Sequence, residues 1–292
     1  MTDLATIIVS YNTRDLLAQS LRALRASLDG SELRTRTVVV DNQSRDGSAA
    51  MVERLFPWVE LLRPGENLGF AGGNNLALRH LGFGKGGRGT AAAVWLLNPD
   101  TEVLADAPQR LLAHLGALFQ AGAFAFPGLR QIVAALFPVP TRLRESRLNG
   151  RSPRRWWRRD RPFAVDMLLG AAMMVRGATI DEVGLLDEGY FMYAEELDWC
   201  RQIQAAGWQI HAVPDATVIH HSGQSTAQFR DRMFVALWRS RLRYYRKWES
   251  PRYVALVRGL LKLGMRWQQM TTRGDDPESA RRRAAYAEVA SL

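Results

Sequence analysis

Three carboxylates stand within four residues at Glu195, Glu196 and Asp198, in the run FMYAEELDWCRQ. Carboxylates held that close repel one another, so one of them binds a proton more readily than usual. A general base working near neutral pH needs that property. The same acids also suit the first turn of a helix, where the dipole favours negative charge, with Asp198 paired to Arg201 one turn on. Another acid, Asp100, closes Asn98-Pro99-Asp100 after the apolar run AAAVWLL. A carboxylate there is a hard oxygen ligand for a divalent cation, Mg2+ or Mn2+; an Asx-turn around Pro99 would use the same residues. His220, ahead of His221, offers either an imidazole to complete such a shell or a structural histidine. Asp41 closes the run TVVV, where its carboxylate can accept hydrogen bonds from a ligand or cap the turn DNQS. Asn67, Gly69, Gly72, Gly73 and Asn74 belong to a glycine-rich stretch whose backbone N–H groups can approach an anion, ahead of a helix expected from Asn74. Its spacing is not the dinucleotide fingerprint, and a flexible loop with a helix cap would look the same.

The elements that must hold these residues follow from hydrophobic periodicity. The sequence predicts strands over 5–10, 37–40, 59–62 and 91–97, alternating with helices over 16–28, 49–56 and 74–81. Buried β-branched runs alternating with helical stripes imply a parallel, doubly wound sheet. Ligands of such sheets lie beyond the carboxyl ends of the strands, where Asn12, Asp41, Asn67 and Asp100 all fall. Further along, a helix is expected over 108–120, a mobile basic loop over 141–162, a strand over 165–175 and a helix over 195–206 closed by Gly207. Short strands follow over 208–213 and 217–219, and from about Ala227 the pattern turns helical, basic and aromatic.

Composition narrows the class. The 292 residues are 47% hydrophobic and 23% charged, which suits a globular protein and excludes wholesale disorder. Cys200 is the single cysteine, so neither an intrachain disulfide nor a cysteine zinc cluster can form. The first residues lack the pattern of a secretory signal, and the best apolar stretch, Tyr253 to Met265, is interrupted by Arg258 and Lys262, so no transmembrane helix is expected. The net charge is +10. Residues 142–162 hold nine arginines against Glu145 and Asp160, and residues 230–270 hold eleven Arg or Lys against Asp231 and Glu249. Such blocks point to a polyanionic partner. No nucleic-acid motif accompanies them, and the charge avoids the motif-bearing strand ends. A basic scaffold that binds nucleic acid or membrane without catalysis is therefore the weaker alternative to an enzyme, and no nucleic acid is expected as a partner.

Seven segments occur in order: IIVSYN (7–12), VVVDNQSRDGS (38–48), ENLGFAGGNN (66–75), LLNPDT (96–101), GAAMMVRG (170–177), GLLDEGYFMYAEELDWCRQIQAAGW (184–208) and VIHHSG (218–223). Over about residues 5–225 they resemble the inverting family 2 glycosyltransferases of the GT-A fold, in particular the bacterial rhamnosyltransferase-like branch. The resemblance implies an α/β chain with a Rossmann-like, mostly parallel central sheet flanked by helices. It divides the chain into a GT-A domain over 1–228 and a C-terminal helical basic extension over 229–292. It implies that Asp41, with Ser10, Tyr11 and Asn12, contacts the nucleoside of a dTDP- or UDP-sugar, while Asn67, Gly69, Gly72, Gly73 and Asn74 meet the diphosphate. Asn98 would hydrogen-bond ribose or sugar, and Asp100 and His220 would hold Mg2+ or Mn2+. Glu196 would be the base, Glu195 would orient the acceptor or share that role, and Asp198 would be structural or acceptor-binding. The implied acceptor is a saccharide or a polyprenyl-linked saccharide of cell-surface polysaccharide synthesis. Two segments depart from the pattern. AGAFAFPGLRQ stands where the family carries a Gly-Pro-containing strand, and the basic run 141–162 has no family signature.

The C-terminal region carries one more expectation. Phe234, Leu237, Trp238, Leu242 and Tyr245 recur at helical spacing among arginines, and Val254, Val257, Leu260, Leu261 and Met265 repeat the pattern after Pro251. Helices apolar on one face and basic on the other suit the plane of an anionic bilayer, or else cover the catalytic domain or a second subunit. With Trp156 and Trp157 alongside, the expected location is cytoplasmic and peripheral, on the inner face of the plasma membrane.

Overall fold

The computed structural model of the protein describes residues 1–84, 86–114, 122–144, 146–158, 161–221, 230–274 and 276–292. In chain order the first half contains β1 (Thr2–Ser10), α1 (Arg14–Leu28), β2 (Thr35–Asp41), α2 (Ser48–Leu55), β3 (Glu60–Leu62), α3 (Gly69–His80), β4 (Ala91–Leu97), β5 (Thr101–Val103), α4 (Ala107–Ala113), β6 (Ala123–Phe124) and α5 (Leu129–Leu136). The second half contains α6 (Thr141–Arg144), a 3-10 turn (Arg147–Asn149), β7 (Phe163–Ala164), β8 (Met167–Leu168), β9 (Ala172–Arg176), α7 (Gly177–Val183), α8 (Glu195–Ala205), β10 (His211–Ala212), β11 (Val218–His220), α9 (Arg230–Trp248), α10 (Pro251–Thr271) and α11 (Pro277–Ser291).

The main sheet has the order β3-β2-β1-β4-β9, with β9 antiparallel to the rest. Its central strands are apolar on both faces because helices cover both, as parallel sheets require. Val38, Val40, Ile7, Val94 and Leu96 face one core, while Val39, Leu4, Ile8 and Trp95 face the other. Register then fixes the site edge. Ser10 pairs with Asp41 across β1 and β2, and Ile8 pairs with Leu97 across β1 and β4. The residues that follow each strand therefore emerge side by side. The strand order reverses between β1 and β4, which is where a doubly wound sheet opens a crevice.

Several expectations need correction. The helix predicted from Asn74 begins five residues earlier, at Gly69. Gly69 takes φ +70, and its N–H donates to Asn67 Oδ1 while the Phe70 N–H donates to the Phe191 carbonyl. These bonds satisfy donors that a helix start leaves free. A side chain at Gly69 would collide with the Phe191 carbonyl oxygen, and a Cβ at Gly73 would lie 2.8 Å from Val9 Cγ1. The glycines thus let α3 lie against β1 and the Phe191 turn, where a free loop was expected. The strand expected over 165–175 is broken at Gly170-Ala171 into β8 and β9, because Leu169 bonds to Gly122 while Ala171 turns to accept from Asn98. The helix expected over 108–120 is described as far as Ala113, and residues 115–121 lie outside the described residues. AGAFAFPGLRQ supplies β6, which pairs with β8, and the start of α5.

The basic run 141–162 is not a bare loop over its described residues. It forms α6 and the 3-10 turn. Trp156 and Trp157 pack on Phe163, with ring centroids 5.4 and 5.0 Å apart, and Arg147 covers Trp156. The aromatics anchor inward and leave the arginines at the surface.

The C-terminal helices also differ from the bilayer expectation. Val235, Trp238, Leu242, Tyr244 and Tyr245 of α9 are buried in the same core as β4 and α8, and Val257, Leu261 and Met265 of α10 join them. The predicted apolar stripe covers the catalytic core. A Cβ on Gly264 would lie 2.8 Å from Leu136 Cβ, so α10 approaches α5 closely.

Candidate active site

The sheet edge gathers Asp41, Asn98 and Asp100 at strand ends. Asp41 is buried; Oδ2 accepts from the Ser44 N–H at 3.1 Å, and Oδ1 has no partner. Asn12 adopts φ +51, an uncommon conformation outside glycine, held by the Ser44 hydroxyl on its N–H and the Arg45 N–H on its Oδ1. The Ser10 hydroxyl spends its hydrogen bond on Thr13, 2.9 Å away. Tyr11 lies between them, half-buried.

Asp100 is 3% exposed, and its Oδ1 makes no hydrogen bond. His220 Nε2 lies 3.2 Å from that oxygen and 3.4 Å from Asn98 Nδ2. The approach comes from pairing: β11 runs antiparallel to β5 and sets His220 opposite Thr101, while the His221 N–H bonds to the Asp100 carbonyl. His221 itself points to Glu102, 3.7 Å away. Among the described residues no three His, Cys, Asp or Glu side chains converge as a metal-holding group. Asp100 and His220 offer one carboxylate oxygen and one imidazole nitrogen. A buried carboxylate oxygen with an imidazole nitrogen 3.2 Å away fits the oxygen and nitrogen donors that a divalent cation takes.

The acids of α8 divide cleanly. Tyr193 and Ala194, both at positive φ (+69 and +65), turn the chain sharply into the helix. Glu195 is buried with Oε2 unpartnered, and burial, followed by the Glu196 charge, pushes its carboxyl well above the usual range. Glu196 lines a cavity of about 480 Å3 and also has an unpartnered Oε2. Burial raises its carboxyl as well, against the pull of the backbone at Gly170 and Leu197 and of the Arg241 guanidinium. Gly170 makes room for the Phe70 ring: a Cβ there would lie 3.0 Å from Phe70 Cζ, and at an ordinary 3.6 Å from Glu196 Cβ. Asp198 is different. It is 0% exposed and accepts from Lys247 Nζ at 2.7 Å, Trp248 Nε1 at 2.6 Å and Gln202 Nε2 at 2.7 Å. It ties α8 to the end of α9 and faces no cavity with Glu196. Its partner is not Arg201, which bonds Tyr244 and Glu249. Cys200, behind the same helix, is fully buried, and burial pushes its thiol up to about 12, so it is inert.

Asn74 sits in the second turn of α3, away from the helix start, and donates to the Phe70 carbonyl. Asn67 caps Gly69, while Gly72 and Gly73 lie inside the helix against Leu68 and Val9. The first turn of α3 begins at Gly69, and the Gly69 and Phe70 N–H groups there are already given to Asn67 Oδ1 and the Phe191 carbonyl. Two residues escaped the sequence reading. Asn75 clamps the Leu186 N–H and carbonyl and bonds Glu188, fixing the segment that leads to Phe191. Arg241 reads in the sequence as one of many basic positions, yet it lines the Glu196 cavity. Its spacing of four from Tyr245, on the buried side of α9, was the available signal.

Eleven buried side-chain polar atoms among the described residues lack a hydrogen-bond partner. Every carboxylate oxygen among them belongs to Asp41, Asp100, Glu195 or Glu196. Unpaired buried carboxylate oxygens are costly, and they stand at two places, Asp41 and Asp100 at the strand ends and Glu195 and Glu196 at the start of α8, which are the candidate ligand-binding positions.

Comparison with known proteins agrees. The profile of the family described as Glycosyl transferase family 2 matches residues 6–174. The chain belongs to that family and is a glycosyltransferase of the GT-A fold. It is 30% identical over 247 residues to the N-acetylglucosaminyl-diphospho-decaprenol L-rhamnosyltransferase of Mycobacterium tuberculosis, covering 78% of this chain and 79% of the relative. It is 35% identical over 80 residues to rhamnosyltransferase WbbL of Escherichia coli, covering 27% and 30% of the two chains. Among solved structures it resembles the mannosyltransferase PcManGT of Pyrobaculum calidifontis, in complex with GDP-Man and Mn2+ (TM-score 0.57, 16% identity, 100% of this chain and 88% of that one).

Proposed function

We propose that the enzyme transfers L-rhamnose or a hexose from a dTDP- or UDP-linked donor to a saccharide carried on a polyprenyl diphosphate, with inversion, in cell-surface polysaccharide synthesis. The observation that carries the reading is the set of four carboxylates with unpartnered buried oxygens. Asp41 and the turn at Asn12 receive the nucleoside. The first turn of α3 and Asn98 line the path of the diphosphate and sugar. Asp100 and His220 would hold Mg2+ or Mn2+, which would supply positive charge against the diphosphate of the donor. Glu196 faces the acceptor and takes its hydroxyl proton as that oxygen bonds to the anomeric carbon. The bond from that carbon to the diphosphate breaks, and its electron pair leaves with the diphosphate. Glu195, buried behind Glu196, keeps a proton and so leaves the negative charge to Glu196. The relative from Mycobacterium tuberculosis, named for an N-acetylglucosaminyl-diphospho-decaprenol acceptor, supports the acceptor class. A thermal-shift panel of dTDP, UDP and GDP with and without Mn2+ tests the donor. We expect dTDP or UDP to stabilise the protein in a Mn2+-dependent way, by about 2.7 kcal/mol at a hundredfold excess over Kd. Stabilisation by GDP above both would overturn this donor assignment.

We place the enzyme on the inner face of the plasma membrane, held by the outer side of α10. No helix among the described residues is long and apolar enough to cross a membrane. With the inner stripe of α10 occupied by the core, Leu256, Leu263 and Met270 remain 50%, 59% and 77% exposed, seven residues apart along one face. Arg252, Lys262 and Arg266 flank that line at helical spacing. An exposed apolar line edged by cations suits an anionic bilayer surface, each cation near it contributing about 1 kcal/mol. Flotation with anionic vesicles should carry the protein at low salt and release it at high salt. The triple change Leu256→Ser, Leu263→Ser, Met270→Ser should leave it in the soluble fraction. Unchanged flotation of that variant rules out α10 as the contact.

A further inference from the structure

The cavity at Glu196 contains a cation, Arg241, with no hydrogen-bonded or ion-paired partner among the described residues. It lies between α5, the segment before it, α9 and the start of α8. Phe124, Pro127, Ala134, Leu169 and Leu237 make much of its wall apolar. Arg241 enters it from α9, where its guanidinium lies 5.1 Å from the Trp238 ring. Among the described residues it makes no hydrogen bond or ion pair. Burial lowers its pKa, and the nearby Glu196 charge restores only part of the loss. An arginine is rarely kept in such a place without an anion, because its five donors lose water and gain no partner. Glu196 does not fill that role, since its own Oε2 is unpartnered. A second arginine, Arg144 of α6, lines the same cavity from an exposed position. Two larger cavities, of about 790 and 1030 Å3, contain neither Glu196 nor Asp100.

The outside of this cavity is unusual too. Its wall elements α5, α6 and the 3-10 turn carry Val133, Leu143 and Leu148, which are exposed. They contact one another in series, and α10 packs on α5. An apolar track edged by Arg142, Arg144 and Arg147 thus runs over the elements that wall the cavity and lead to α10.

We propose that this cavity is the acceptor's diphosphate site: Arg241 pairs the diphosphate of a prenyl-diphosphate-linked saccharide, and Arg144 assists as the outer cation. The saccharide then lies between the diphosphate and Glu196, and the prenyl chain leaves over Val133, Leu143 and Leu148. The assignment rests on the lipid-linked acceptor proposed above. It adds a second anion site, separate from the donor diphosphate at Asp100, and makes Arg241 a specificity determinant.

The test uses farnesyl diphosphate as the probe, with binding to the full chain read by tryptophan fluorescence in EDTA. Without metal, the Asp100–His220 edge cannot recruit the probe. The wild type should bind it, Arg241→Met should weaken binding at least tenfold, Arg144→Ala should weaken it less, and Arg241→Lys should recover part of the loss. Farnesol should bind wild type and Arg241→Met alike, and inorganic diphosphate should bind the wild type more weakly than farnesyl diphosphate. In the same variants the Mn2+-dependent thermal shift with dTDP or UDP should be unchanged. Absence of farnesyl diphosphate binding, equal binding by Arg241→Met, or a parallel loss of nucleotide binding overturns the proposal. Equal affinity for inorganic diphosphate removes the lipid from it. A failure of the donor panel with farnesyl diphosphate binding intact counts against the proposed transfer and not against this site.

Discussion

Glu196→Gln is expected to bind donor nucleotide as the wild type does and to lose sugar transfer by roughly 10²–10⁴-fold, the range for a missing general base. The amide fills the same volume and can still accept from the backbone at Gly170, so the loss reports protonation chemistry and not a vacated space. The second arm is pH. Burial raises the carboxyls of both Glu195 and Glu196. A base must be ionised, so the acid limb of kcat/KM should lie above the ordinary glutamate value. Glu195→Gln imitates a protonated Glu195. It should therefore cost little activity and leave the acid limb close to that of the wild type, because burial, which raises Glu196, is retained. If Glu195→Gln is the inactive variant and Glu196→Gln works, the two roles are exchanged. If both variants keep wild-type transfer, the pair does not contain the base.

The strand ends were legible because two constraints coincide there. A parallel strand needs a run of buried β-branched residues, and the polar residue that closes the run must face the crevice. TVVV followed by Asp41 and AAAVWLL followed by Asn98 therefore announced the sheet and put these polar residues at the carboxyl ends of its strands. What misled was local chemistry that served packing. Gly69, Gly72 and Gly73 read as a flexible loop, yet their missing Cβ atoms let α3 meet Val9 and the Phe191 carbonyl, and the helix starts at Gly69. The amphipathic pattern of α9 was real, but periodicity records only that one face is buried and says nothing of what buries it. Trp238 and Leu242 turned out to lie against the catalytic core. Arg241 was hidden for the reverse reason. Among eleven cations in that region, only tertiary placement separates Arg241, which enters the Glu196 cavity, from Arg239, Arg243 and Lys247, which pair with carboxylates. Asp198 illustrates the limit of spacing. It shares a helical turn with Glu195, and its three donors come from Gln202 and from α9, about fifty residues away, which no local motif encodes.

Asp100→Ala is expected to abolish metal-dependent turnover, a loss of roughly 10³-fold or more if the cation supplies several kcal/mol of charge stabilisation. The stability arm gives the prediction its discrimination. Asp100 Oδ1 makes no hydrogen bond, and the contact that anchors this segment, from the His221 N–H, uses the Asp100 backbone carbonyl. Alanine keeps that carbonyl and removes a buried carboxylate whose Oδ1 has the His220 imidazole 3.2 Å away but no hydrogen bond. Its thermal midpoint without metal should therefore equal or exceed that of the wild type. A purely structural aspartate behaves in the opposite way, losing stability and activity together. Mn2+ should raise the midpoint of the nucleotide-bound wild type and leave that of Asp100→Ala unmoved. His220→Ala removes one ligand and keeps the carboxylate, so it should need more Mn2+ for half-maximal activity while retaining part of the maximal rate. Wild-type turnover by Asp100→Ala at saturating Mn2+ would remove Asp100 from the metal site, and a lowered midpoint without metal would return it to the structural role of an Asx-turn around Pro99.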